Sequence, residues 1–247
     1  SVEAPLTAEE ERELRKLSAG IWNFFEEYVT ASDNWLPPDN IQVEPPNGIA
    51  HRTSPTNIGL YLACTLAARD FGFIDTPGFI ERLERTLGTI ELLEKWKGHL
   101  YNWYDTVTLE PLPLPYVSTV DSGNFVGCLI TVAEGLSEWL KSDFDQNEYV
   151  RTTTGDALDF AFAEELLSQT DEDGVQNIAT INAGMKNQGN STDRQLVENE
   201  DWAARGGKLI ARLEALIDGA DFNPLYDRKT KRFHLVYRVT LRETNKV

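Results

Sequence analysis

The sequence predicts an all-α fold, and three observations carry that expectation. Apolar residues recur at helical spacing in several long segments. The helices are of two kinds, apolar almost all round or apolar along one face. A polar turn feeding an all-round apolar helix occurs twice, sixty-four residues apart. Buried inner helices alternating with amphipathic outer ones are what an α/α toroid requires.

The first helix is expected over residues 7–29. Thr7 and Glu10 form a capping-box signature, and Leu14, Leu17, Ile21, Phe24, Phe25 and Tyr28 follow on one face. Residues 30–53 are broken by Pro37-Pro38 and Pro45-Pro46 and read as irregular. Ser54 is an N-cap with Pro55 at the first helical position. The helix behind it, to about Phe71, carries Ile58, Leu60, Tyr61, Leu62, Cys64 and Leu66 around its whole circumference, so burial on every side is expected.

Thr76-Pro77 opens a third helix by the same device. Its Ile80, Leu83, Leu87, Ile90 and Leu93 face inward, and Glu81, Glu84, Arg85, Glu91 and Lys95 face water. A second all-round apolar helix begins around Asp121 and runs to about residue 140. Further helices are expected at 155–168 and, from an Asn199 cap, at 200–218. Residues 171–198 read as polar and turn-rich, and the tail 232–240 alternates in part like a strand.

The repeat sets Ser54 against Ser118, Asn57 against Asp121, Gly59 against Gly123, Tyr61 against Phe125 and Cys64 against Cys128. Close helix approach accounts for both glycines, and the two cysteines are expected to be buried, reduced and equivalently placed. A six-hairpin toroid needs more chain than 247 residues, so about half a ring is expected, as part of one domain with no separate second domain.

Hydrophobic residues make up 41% and charged residues 26%, which excludes disorder and fibrous repeats. The net charge of −17 excludes non-specific nucleic-acid binding and adhesion to anionic membranes. No apolar run reaches the length of a membrane span and the acidic N-terminus has no secretory h-region. The missing initiator Met is read as a processed or excised start. His51, His99 and His234 are scattered and only two cysteines occur, so neither a metal nor a cofactor is expected.

In a toroid the loops at one end of the inner helices line a cleft. Three segments converge there: Trp35 with Asp39 and Asn40; His51, Arg52 and Thr53 with Asn57; and Tyr101, Asn102, Trp103, Tyr104 and Asp105 with Ser118, Asp121, Ser122 and Asn124. Aromatic faces beside fixed polar groups suit a sugar, whose C–H faces and hydroxyls need both. Each has a competing structural role: Asn57 and Asp121 as caps, Arg52 in a salt bridge, Trp103 and Tyr104 as core plugs. No nucleophile elbow, P-loop, dinucleotide fingerprint or His-Glu-x-x-His occurs. Asp39, Asp105, Glu110 and Asp121 are the carboxylates available for glycoside chemistry.

Four runs carry a family resemblance: Asn34-Trp-Leu-Pro-Pro-Asp-Asn, Ala50-His-Arg-Thr-Ser-Pro-Thr-Asn-Ile-Gly-Leu-Tyr-Leu, Gly98-His-Leu-Tyr-Asn-Trp-Tyr-Asp-Thr-Val-Thr-Leu-Glu-Pro-Leu and Tyr116-Val-Ser-Thr-Val-Asp-Ser-Gly-Asn. They resemble the cyclic β-1,2-glucan synthases, in the glycoamylase-like segment between the membrane glycosyltransferase part and the phosphorylase-like part. Asp221-Phe-Asn-Pro-Leu-Tyr-Asp extends the match toward the end of the chain.

The resemblance implies an (α/α)6 toroid, here roughly its N-terminal half, that cyclises linear β-1,2-glucan by anomer-retaining transglycosylation. It implies a segment on the cytoplasmic face of a larger membrane-bound synthase, completed by the C-terminal remainder of the same domain. The family's expected catalytic glutamates fall beyond Val247, which leaves Asp121 as the nearest catalytic candidate and the other residues as glycan contacts. An endo-β-1,2-glucanase and a non-catalytic glycan-binding module are the alternative functions.

Overall fold

Helix ends follow local capping chemistry. In the computed structural model, which describes residues 5–141 and 192–239 and the side chains of all of these except 192–201, α1 spans Ala8–Tyr28 behind the expected box. Thr7 Oγ1 accepts the Glu10 N–H, and the Glu10 carboxylate accepts the Thr7 N–H in return. α2 spans Pro55–Asp70 and α3 spans Thr76–Leu92. The cap of α3 is Asp75, one residue before the expected start, because its carboxylate accepts the Gly78 N–H.

α4 spans Thr119–Lys141 and α5 spans Thr192–Gly219. α5 begins well before the expected Asn199 cap, and the helix expected at 155–168 lies outside the described residues. The chain divides into two compact units, Ser1–Lys141 with Arg205–Val247, and Ser142–Ala204. The first unit holds α1 to α4 and the C-terminal half of α5.

α2 and α4 form the most extensive helix pairing of this unit. Leu62 and Leu129 are fully buried, as inner helices require. Gly59 permits the approach, since a Cβ there would lie 3.1 Å from Cys128 Cβ and 3.2 Å from Phe125 Cα. Gly123 does not share that role, because a Cβ would meet open space. Burial on every side also fails: Leu60 and Ile130 are about half exposed, at 51% and 46%. Cys64 and Cys128 are free thiols at intermediate rather than full burial.

α3 buries Ile80, Leu83, Leu87 and Ile90 as its pattern dictates, and Leu93, its C-cap, is buried with them. Its acidic face is not simply solvated. Arg205 and Arg212 of α5, two turns apart, pair with Glu84 and Glu91. α1 packs through Trp22, Phe25 and Val29 against Tyr61 and Ala68, and leaves Leu14, Leu17 and Ile21 exposed.

Short antiparallel ladders fasten the loops. β1 (Ile41–Gln42) pairs with β2 (Gly48–Ile49), and β3 (Arg52–Thr53) with β6 (Tyr104–Asp105). β4 (Lys95–Trp96) and β5 (His99–Leu100) make a hairpin behind α3. β7 (Tyr116–Ser118) pairs with β10 (Val236–Arg238), and β8 (Tyr226–Asp227) with β9 (Arg232–Phe233). The tail is therefore two short strands rather than one.

Candidate functional site

The two repeat copies meet at one place. Ser54 Oγ accepts the Asn57 N–H at 3.2 Å, and Ser118 Oγ accepts the Asp121 N–H at the same 3.2 Å. Each serine thus caps its helix, which sets the first turns of α2 and α4 side by side. Thr56 Oγ1 donates to Asp121 Oδ1 at 2.7 Å and accepts from Asn124 Nδ2 at 3.2 Å.

Strand alternation orients the residues before α2. In the β3–β6 ladder Arg52 stands opposite Asp105 and Thr53 opposite Tyr104. Thr53 points inward and is fully buried, so Arg52 points outward. Its Nε and Nη2 both donate to Asp39 Oδ2, at 3.1 and 2.9 Å. Asp39 also accepts from Asn40 Nδ2 at 2.8 Å and from Asn57 Nδ2 at 3.2 Å. Held in this way, the Arg52 guanidinium lies 5.2 Å from the centre of the Trp103 ring.

Asn102 joins the two halves. In the amide orientation that satisfies both of its ends, its nitrogen donates to Asp121 Oδ2 at 2.9 Å. Its oxygen accepts from Trp103 Nε1 and from the Tyr116 hydroxyl, each at 2.9 Å. A continuous chain of contacts therefore runs Asp39–Arg52–Trp103–Asn102–Asp121–Thr56–Asn124. It combines an indole face, a half-exposed guanidinium and amides on rigid helix starts.

Other expected residues go elsewhere. His51 lies one residue from Arg52 and so on the other face of the strand, where its Nδ1 is 2.8 Å from Asp33 Oδ1. Asp33 is buried and also accepts from Thr106 Oγ1 at 2.5 Å. Trp35 turns toward α3, with the Arg85 guanidinium 4.6 Å from its ring centre. Tyr101 and Tyr104 are core plugs, contrary to a cleft position. The Tyr104 hydroxyl donates to the Glu94 carbonyl at 2.6 Å and accepts the Tyr101 N–H at 2.7 Å. Burial, with the Glu94 charge second, pushes the Tyr101 phenol up to about 12, and burial raises that of Tyr104 further.

Asp105 caps a turn. The N–H groups of Thr108 and Val107 donate to its Oδ1 and hold its carboxyl below the usual range. Ser122 is buried and its hydroxyl has no partner among the described residues. Thr56, Tyr116 and Asp33 also belong to these networks, although the sequence pattern does not single them out. Thr56 sits inside the Ser54-Pro-Thr-Asn turn, so its helix position is readable, whereas nothing local marks Asp33.

The Asp221 block is tied to the same region through His99, whose Nε2 is 2.8 Å from the Asp221 carbonyl oxygen and whose ring meets Phe222 edge-on at 4.7 Å. Trp96 stacks on Tyr237 at 4.6 Å, which secures the strand that pairs with β7. Among the described residues no group of three or more His, Cys, Asp or Glu could hold a metal, and no helix is long and apolar enough to cross a membrane.

No protein-family model matches the chain. Over 130 residues, 53% of its length, it is 50% identical to the cyclic β-(1,2)-glucan synthase NdvB of Rhizobium meliloti (strain 1021). It covers 5% of that protein. Its fold matches a chain assigned as a glucoamylase from Bacteroides fragilis NCTC 9343, at TM-score 0.54 and 15% identity, covering 91% of this chain and 39% of the other. It equally matches an endo-β-1,2-glucanase from Chitinophaga pinensis in complex with sophorotriose and glucose, at TM-score 0.54 and 11% identity, covering 92% and 42%. The chain is an all-α segment with the glycoamylase-like toroid fold, spanning about two fifths of such structures, and it resembles a cyclic β-(1,2)-glucan synthase over half its length.

Proposed function

We propose that the chain supplies glycan-recognising residues to a β-1,2-glucan-processing domain, one that cyclises linear β-1,2-glucan by anomer-retaining transglycosylation. The observation that carries this reading is the continuous Asp39–Arg52–Trp103–Asn102–Asp121–Thr56 network, in which Asp39 and Trp103 hold Arg52 on two sides. An indole can cover one apolar face of a glucose unit while the guanidinium, amide and carboxylate groups meet its hydroxyls. The strong likeness to a cyclic glucan synthase supports β-1,2-glucan as the ligand.

Retaining transfer needs a nucleophile and an acid/base carboxyl about 5–5.5 Å apart. Asp39, Asp105 and Asp121 each spend their carboxylates on the chain's own donors, which suits orientation better than attack. Of the four candidate carboxylates Glu110 alone remains, and one carboxyl is not a pair, so the catalytic pair is assigned to other parts of the complete domain. We assign the half-exposed Leu60 and Ile130 to contact with those parts, within one toroid domain. The segment's place is the cytoplasmic face of a larger membrane-bound synthase, with no direct lipid or nucleic-acid contact.

Linear β-1,2-glucan incubated with this chain tests the reading by product analysis. Saturable binding with unchanged glucan is expected. Cyclic or rearranged products would put the catalytic pair within the chain, and short reducing oligosaccharides would favour an endo-β-1,2-glucanase. Absence of saturable binding would overturn the proposal.

A further inference from the structure

One cleft shares no residue with the Arg52–Trp103 network. It has a volume of about 300 Å³ and is bounded by Phe25, Glu26 and Thr30 at the end of α1, by Tyr61 and Arg82 from α2 and α3, and by Trp35. We infer that this cleft is a separate subsite for a mono- or disaccharide unit of a neutral glucan, with Trp35 as its stacking platform. That inference rests on the glycan reading above and adds a second point of contact.

Backbone conformation is the first support. Asn34 and Trp35 both lie in the left-handed region, at φ 52° and 61°, which a bulky residue avoids. The surroundings enforce it. The Trp35 N–H donates to the Thr30 carbonyl at 2.9 Å, and Thr86 Oγ1 donates to the Trp35 carbonyl at 3.0 Å. Thr89 Oγ1 donates to the Asn34 carbonyl at 2.6 Å, and the Asn34 amide donates to the Thr106 carbonyl at 2.8 Å. A strained turn held by this many bonds fixes where the indole is delivered, and such strain concentrates at ligand sites.

Chemistry is the second support. The Arg82 guanidinium donates to the Glu26 carboxylate at the cleft, and both remain partly open to solvent, at 25% and 46% side-chain exposure. A paired cation and anion offer donors and acceptors together with no net charge. That suits hydroxyls, which both give and accept, and it favours neither an anion nor a cation. The chain's net charge of −17 further disfavours an anionic ligand. The Arg85 guanidinium covers one face of Trp35, at 4.6 Å from the ring centre, which leaves the other face for the C–H surface of a pyranose. At the lower end of ligand-pocket volumes, the cleft has room for one or two sugar units rather than a long chain.

Titration of the 15N-labelled chain with sophorose, the β-1,2-linked glucose disaccharide, tests this through the indole N–H resonances. Trp35→Phe and Trp103→Phe identify the two signals. The expected result is a saturable shift of the Trp35 signal that Trp103→Phe leaves unchanged. Glu26→Gln, which keeps the packing of Trp35, should weaken that saturation about tenfold, with the signal of Trp96, which stacks on Tyr237, unmoved as the folding control. A shift of Trp103 alone would overturn the second subsite and leave the glycan reading standing. A shift of Trp35 alone would support the subsite and remove the role given to Trp103. No saturable shift at either would overturn both.

Discussion

The Arg52 guanidinium lies 5.2 Å from the centre of the Trp103 ring while two of its nitrogens donate to one oxygen of Asp39. A guanidinium held between a carboxylate and an indole keeps its orientation without a ligand, and lysine cannot reproduce that fork. Arg52→Lys should therefore lower affinity for linear β-1,2-glucan about tenfold, read by calorimetric titration, while the Tm stays close to that of the parent.

Asp121 accepts from Thr56 on one oxygen and from Asn102 on the other. Asp121→Ala removes the acceptor of both the Thr56 hydroxyl and the Asn102 amide, which leaves two donors unpaired. Loss of about 1–3 kcal/mol in urea unfolding is expected, together with weaker glucan binding. Unchanged stability would show that these bonds do not hold the α2–α4 junction.

Gly98 is a stronger steric constraint. Its φ is +80°, and a Cβ would fall 1.8 Å from the Gly219 carbonyl oxygen at the end of α5. Gly98→Ala should cost more than about 1 kcal/mol through backbone strain alone, and the displaced β4–β5 turn adds to it. Urea unfolding with a midpoint equal to the parent's would refute the close contact.

His99 supplies a pH dependence. Burial lowers its pKa, and its contact with the Asp221 carbonyl only partly opposes this. Below the ordinary histidine value of about 6.5 the unfolded chain takes up a proton that the folded chain resists. Stability should thus be full above that pH and fall as pH drops toward the lowered folded value. In His99→Gln the stability lost between about pH 7.5 and about pH 5.5 should be smaller than in the parent, measured by urea midpoints.

Burial raises the thiol pKa values of Cys64 and Cys128. Near pH 8 both should react with a thiol reagent more slowly than a free cysteine, and unfolding in urea should remove the difference. Reaction at the free-thiol rate in the folded chain would contradict the α2–α4 packing around Gly59.

The helices were legible because their signals are local. Ser54 with Pro55 and Thr7 with Glu10 fix two starts by themselves, and Ile80, Leu83, Leu87 and Ile90 fix the buried face of α3. Exposure of Leu60 and Ile130 was not legible, since apolarity shows that a residue can be buried but not what covers it. The site was legible as a set of segments rather than as side-chain directions. Trp103 and Tyr104 are neighbours of like character, yet the β3–β6 register sends one to the Arg52 face and the other into the core. His51 and Arg52 are separated by the same alternation once β3 is known, but a two-residue strand leaves no periodic trace in the sequence.

The central claim is that the Arg52–Trp103–Asn102–Asp121 network recognises β-1,2-linked glucan. Calorimetric titration of the chain and its Trp103→Ala variant with linear β-1,2-glucan, alongside a β-1,3-glucan of equal length, tests it most directly. Recognition by this network predicts saturable binding of the β-1,2-glucan by the parent, much weaker binding of the β-1,3-glucan, and an affinity about tenfold lower or worse for Trp103→Ala. Equal affinity for the two linkages, or a Trp103→Ala variant that binds as the parent does, would contradict it.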